Sequence, residues 1–179
     1  GVQTCALPIC YSNPALPTLL QALAAQEPAL LLLTPSAAAQ AGALPPGLRG
    51  HALPWLPQDE YDHLLWACDL NFVRGEDSLV RALWAGAPFV WHIYPQHDGV
   101  HAGKLQALLN RMPAVDGLAA LWRAWNGLAP PEFAWPDAGA WRHACLQWRD
   151  ALAAQADLVT QLTQFGRQRQ RAAPAGLLE

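Results

Sequence analysis

Alternation limits this chain most. Apolar runs too short to be helices are separated by segments with helical spacing, at intervals of about fifteen to twenty residues. "ALLLLTP" reads as a short buried strand stopped by Pro35. "HALPWLP" (His51–Pro57) is extended, because its two prolines exclude a helix. "DLNFVR" and "APFVWHI" are two further strands. One segment with a helical pattern, Pro17–Gln26, precedes these strands, and three more lie between them: Ser36–Leu44, Gln58–Cys68 and Glu76–Gly86. The spacing puts Tyr61, Leu64, Leu65 and Cys68 on the inner face of the third, and Leu79, Val80, Leu83 and Trp84 on that of the fourth. From His101 onward only helices are expected: Ala102–Met112, Gly117–Trp125 and Ala138 to about Phe165, with Trp122, Trp125, Trp141 and Trp148 as core. Strands alternating with helices build parallel βαβ units. The fold class is α/β: a Rossmann-like parallel sheet with a helical C-terminal annex.

Composition narrows the function classes. Apolar residues make up 53% of the 179, so the chain can bury a core. Net charge is -3 and no dense basic run occurs, which argues against nucleic acid as a partner. The apolar run Pro28–Leu33 is too short to span a bilayer, and no membrane partner is expected. Cys5, Cys10, Cys68 and Cys145 form no CxxC pair and no metal-ligand spacing, and read as reduced thiols of a cytoplasmic protein.

The first nine residues, "GVQTCALPI", are what one reading frame of a common sequencing-library adapter encodes, and no methionine opens them. We expect residues 1–9 to be an adapter-derived leader joined to a truncated gene. Residues 10–165 are then the Rossmann-like domain with its annex, and 166–179 a flexible tail.

The chemistry concentrates in one turn, "RGEDS" (Arg74–Ser78), between a strand and a helix. In an open parallel sheet, ligands sit outside the carboxyl ends of the strands. Free N–H groups and the positive end of a helix dipole make this turn a seat for an anion. Gly75 lets the backbone approach closely, Ser78 offers a hydroxyl, and Arg74 offers a planar two-pronged cation. A diphosphate fits these groups. Glu76 and Asp77 would repel it unless they turn away. They read either as helix caps or as acceptors for sugar hydroxyls. Trp55 is either core or a surface on which a base stacks, with Gln58 close enough in sequence to hydrogen-bond that base. Tyr94 and Gln96 follow the next strand and belong to the same edge.

The run "CDLNFVRGEDSLVRALWAGAPFVWHIYPQ" (Cys68–Gln96) resembles the signature of the protein-arginine rhamnosyltransferases that modify translation elongation factor P, the EarP family. "CYSNPALPTLL" (Cys10–Leu20) is similar to another segment of that family. The resemblance runs from about Cys10 to Phe165 and covers only the C-terminal half of the family's chain. It implies the C-terminal half of a GT-B glycosyltransferase, in which two Rossmann-like domains face a cleft. It implies dTDP-β-L-rhamnose as donor, an arginine of elongation factor P as acceptor, inversion at the anomeric carbon, no metal and no cofactor. By position, Tyr11, Trp55 and Gln58 would contact thymine or ribose. Arg74, Gly75, Glu76, Asp77, Ser78 and Tyr94 would hold the rest of the donor. The general base would belong to the other half, so this fragment alone would not catalyse, and Asp77 would play a supporting part.

Three rivals stand beside this reading. One is another sugar-nucleotide transferase of the same fold, and one a stand-alone nucleotide-binding module. The third is a metal hydrolase built on His92, His97, Asp98 and His101, although Pro95 and Gly99 break the helix such a set would need.

Overall fold

A computed structural model describes residues 4–8, 12–96 and 99–172. The elements run β1 (Thr4–Pro8), α1 (Leu16–Ala24), β2 (Ala29–Leu33), α2 (Pro35–Ala41), β3 (Leu48–Ala52), α3 (Gln58–Ala67), β4 (Leu70–Arg74), α4 (Gly75–Ala85) and β5 (Phe89–His92). Then follow α5 (Val100–Leu109), α6 (Leu118–Trp125), α7 (Ala138–Ala153) and α8 (Leu158–Ala172). The chain divides into two units at Arg149–Asp150, within α7.

The first unit holds a five-stranded sheet in the order β3-β2-β1-β4-β5, with every pairing parallel. The alternation therefore predicts the class correctly but misses the middle strand. Thr4–Pro8, the greater part of the segment expected to be a leader, lies between β2 and β4. That slot needs extended backbone and modest apolar side chains. Ala6 and Leu7 supply them and are fully buried.

Burial follows position in the sheet. β4 and β5 are covered on both faces, so Phe72, Val73, Phe89 and Val90 are solvent-free. β3 is an edge strand, and only its first residue is buried. Arg49 and His51 keep that edge polar. The expected tryptophan core is present: Trp122, Trp125, Trp141 and Trp148 are all buried. Trp122 lies tilted on Phe89, with centroids 5.3 Å apart. Trp125 meets Phe72 edge-on at 5.1 Å.

Four expectations need correction. α4 does not bury Val80 or Trp84, which are 50% and 51% exposed; it turns Leu79 and Ala82 inward instead. One helical turn carries 3.6 residues, so a face that includes Leu79 and Ala82 leaves Val80 and Trp84 outside. α3 buries Leu65 and ends at the buried Cys68, whereas Tyr61 and Leu64 are half-buried. The single long helix expected from Ala138 breaks after Ala153, and α8 begins at Leu158. The Asp157 carboxylate accepts hydrogen bonds from both the N–H and the hydroxyl of Thr160, which makes Asp157 a helix-starting residue. α8 then continues through Phe165 to Ala172, into the segment expected to be a flexible tail.

Cys5 and Cys68 place their sulfurs 2.9 Å apart, and both are free thiols, as is Cys145. Burial pushes the Cys145 thiol up to about 12. Among the described residues, no helix is long and apolar enough to cross a membrane.

Trp122 fills the space between α6 and β5, so Trp122→Ala should cost about 3–5 kcal/mol in urea unfolding with an unchanged m-value. Trp84→Ala should cost about 1 kcal/mol or less. Equal losses from the two would contradict this account of the core.

Candidate functional site

Strand order decides where a ligand sits. From β1 the chain builds outward through β2 to β3, then returns to place β4 and β5 on the other side. The switch falls between β1 and β4, and the crevice of such a fold opens at their carboxyl ends. Arg74 is the last residue of β4, and α4 starts at the next residue.

This immediate strand-to-helix turn requires Gly75. Its φ is 70°, in the left-handed region where a side chain is strained. The N-cap residue, Arg74, makes no side-chain cap bond. Glu76 and Asp77 stand in the first turn of α4, where their charges face the positive end of the helix dipole. The carbonyl of Gly75 accepts a hydrogen bond from the Trp91 indole N–H at 2.9 Å. Trp91 is buried in β5, and this bond ties the turn to the sheet's edge strand.

A cavity of about 220 Å³ opens beside the turn. Thr34 and Ser36 border it after β2, Leu53 and Trp55 after β3, Tyr61 and Leu64 from α3, and Arg74 and Ser78 from the turn. Pockets that enclose a whole drug-sized ligand run to roughly 300–1,000 Å³, so this one is smaller than such a pocket. Trp55 is 81% exposed and stands at its rim, which resolves the choice between core and surface for this residue. The Tyr61 hydroxyl is buried without a hydrogen bond of ordinary geometry. Burial, only partly offset by the nearby Ser78, raises its pKa.

The acidic residues are organised differently from one another. One oxygen of Asp77, Oδ2, accepts from the Gln58 amide and from Arg81 Nε, each at 3.0 Å. Arg81 also donates from Nη1 to both oxygens of Asp62, at 2.9 and 2.7 Å. A chain of Gln58, Asp77, Arg81 and Asp62 therefore joins the starts of α3 and α4. Glu76 is exposed, and no comparable tether fixes it among these bonds.

Of the residues expected from sequence, Trp55, Arg74 and Ser78 share the cavity. Gln58 and Asp77 do not line it but meet each other directly, and Gly75 and Glu76 form the turn. Tyr94 is exposed two residues beyond β5, one strand over on the same edge. Tyr11 lies outside the described residues, as do His97 and Asp98. His92 is buried, with its ring edge-on to Trp125 at 5.6 Å. His101 Nδ1 accepts a hydrogen bond from the Gln96 N–H at 3.2 Å. Among the described residues, no group of three or more His, Cys, Asp or Glu is gathered to hold a metal.

Sequence reasoning missed Tyr61, Arg81 and Trp91. Arg81 had a signal, because it stands four residues after Asp77, the spacing of a helical ion pair. Trp91 had none, because its bond to Gly75 spans two elements.

Comparison with known proteins gives a consistent result. Residues 3–167 match the family model described as elongation factor P rhamnosyltransferase EarP. A protein-arginine rhamnosyltransferase of Pseudomonas aeruginosa is 39% identical over 87% of this chain and 48% of that protein. One of Pseudomonas putida is 41% identical over 88% and 48%. The chain thus spans about half the length of these curated relatives. A solved structure from work on EarP-mediated arginine glycosylation of translation elongation factor EF-P superposes with a TM-score of 0.73 at 36% identity. That superposition covers 93% of this chain and 61% of the solved one.

Burial, with a smaller effect from Arg74, pushes His92 from an ordinary 6.5 down to about 4. Between these values the unfolded chain binds more protons than the folded one, so stability is complete above about pH 6.5 and falls as pH drops toward 4. The loss should approach 3 kcal/mol, at about 1.36 kcal/mol per pH unit. Urea midpoints at pH 7 and pH 4.5 should differ less in His92→Gln than in the parent. An equal difference in both would place the effect elsewhere.

Proposed function

This chain belongs to the family of elongation factor P rhamnosyltransferases, and on that premise we propose that it is the donor-binding half of such an enzyme. It is the C-terminal part of a GT-B transferase that holds dTDP-β-L-rhamnose for transfer to an arginine of elongation factor P. The observation that carries this reading is the cavity lined by Trp55, Tyr61, Arg74 and Ser78, set against an uncapped helix N-terminus.

Each part of the donor has a chemical match at this edge. The exposed face of Trp55 suits a stacked base, an arrangement worth roughly 1–3 kcal/mol in base–aromatic contacts. The cavity volume, about 220 Å³, suits the nucleoside and not the whole donor. The diphosphate lies across the first turn of α4, where N–H groups of Glu76 to Ser78, the helix dipole and Arg74 meet its charge. Tyr94 adds a hydroxyl from the neighbouring strand end. Gln58 and Arg81 hold Asp77 by one oxygen, which keeps its charge turned from the phosphates. Asp77 and Glu76 are the acceptors on hand for sugar hydroxyls.

In the transfer, an arginine nitrogen attacks the anomeric carbon, and the bond from that carbon to the diphosphate oxygen breaks on the opposite face. The configuration inverts, dTDP leaves with the bonding pair, and the arginine nitrogen gives up its proton to a base. Arg74 and the α4 N–H groups stabilise the negative charge that grows on the leaving diphosphate, so no metal is required. The base comes from the other half of the enzyme, and this chain alone binds without turning over. A translation factor as acceptor places the reaction in the cytoplasm.

Calorimetric titration of this chain should show dTDP binding in preference to UDP and GDP. Ser78→Ala should weaken dTDP about tenfold or more, since a hydrogen bond to a charged group is worth roughly 1.5–3 kcal/mol. Tighter UDP or GDP would point to another sugar-nucleotide transferase, and no binding by the folded chain would refute the reading. In the full-length enzyme, Asp77→Ala should lower turnover; unchanged turnover would remove Asp77 from the site.

A further inference from the structure

Among the described residues β5 is an edge strand, with β4 on one side and no strand on the other. The Asn71 N–H donates to the Pro88 carbonyl, so the even-numbered backbone groups of β5 face β4. The odd-numbered groups then face the open edge. Two of these, the Trp91 carbonyl and the Ile93 N–H, belong to residues only 4% and 2% exposed. Water cannot serve them well there, and a buried backbone group needs a partner.

One side chain provides both bonds. Asn126, the C-cap residue of α6, accepts from the Ile93 N–H at 2.9 Å and donates to the Trp91 carbonyl at 2.8 Å. It also donates to the Trp122 carbonyl at 2.8 Å, which fixes the amide to its own helix. A neighbouring parallel strand would satisfy the same two groups flanking His92. Trp91, held in this way, carries the indole that bonds to Gly75 at 2.9 Å. The path Asn126, Trp91, Gly75 thus joins the end of α6 to the turn that begins α4.

We propose that Asn126 is a positioning residue: it stands in for a sixth strand at the edge of β5 and, through Trp91, fixes Gly75 and the anion-binding first turn of α4. It touches no ligand and acts through the backbone of its neighbours. Only the ligand part of the following test rests on the donor reading given above.

The first readout needs no ligand. In Asn126→Ala, hydrogen exchange of the Trp91 indole N–H and of the Glu76–Ser78 amides should quicken at least tenfold, with exchange in β2 unchanged. The second readout separates positioning from general damage. Asn126→Ala should weaken dTDP about tenfold while thymidine, which lacks the phosphates, changes less than about twofold. Trp91→Phe should mimic it, and the double variant should lose little more than the larger single loss, since both act on one turn. Asn126→Asp keeps the volume and the acceptor for Ile93 but loses both donors; it should show the same pattern, and it serves if the alanine variant fails to fold. Unchanged exchange at the turn would overturn the proposal. So would equal losses of dTDP and thymidine, or fully additive losses in the double variant. Quickened exchange in a chain whose parent binds no dTDP would keep the positioning role and defeat the donor reading instead.

Discussion

Parallel pairing throughout the sheet is the constraint on which the rest of the molecule depends. When every strand runs the same way, every carboxyl end falls on one edge, and each connection must return across a face. Residues far apart in sequence, Thr34, Trp55, Arg74 and Tyr94, therefore reach the same edge without any local contact to bring them there. Because β1 sits in the middle, the chain reverses its direction of growth between β1 and β4. The RGEDS turn lies at that reversal, where neighbouring connections part and leave space.

The turn shows how a site is assembled from weak local preferences and strong long-range ones. Gly75 permits the sharp entry into α4, but permission does not fix a position. The Trp91 indole does that from β5, and Asn126 in turn fixes the part of β5 that carries Trp91. On the solvent side, Asp77 is restrained by Gln58 from α3 and by Arg81 one helical turn along. The first turn of α4 is thus held from both sides, by Trp91 at Gly75 and by Gln58 and Arg81 at Asp77.

The same arrangement puts opposing charges to use. Arg74 lies beside His92, its partner in the β4–β5 register, and burial together with that cation keeps His92 neutral at ordinary pH. A second cation next to Arg74 would cost energy. A neutral imidazole packed on Trp125 avoids that cost.

The sequence by itself determined the α/β class, the position of β2, β4 and β5, the tryptophan core and the concentration of polar chemistry at Arg74–Ser78. All of these rest on short-range signals: period of apolar residues, proline and glycine punctuation, and residue types crowded into one turn. It also carried the resemblance of Cys68–Gln96 to a known family. The tertiary structure alone decided that Thr4–Pro8 is the central strand, that Val80 and Trp84 face outward, that α7 and α8 are separate, and that Trp55 stands at a cavity rim. It alone revealed Tyr61 beside the cavity, Trp91 bonded to the turn and Asn126 behind Trp91. The physical reason is common to these cases. A helix or strand pattern reports which residues want burial, but not which neighbour arrives to bury them. The partner of Gly75 is sixteen residues away, and Asn126 lies thirty-five residues from the carbonyl it holds.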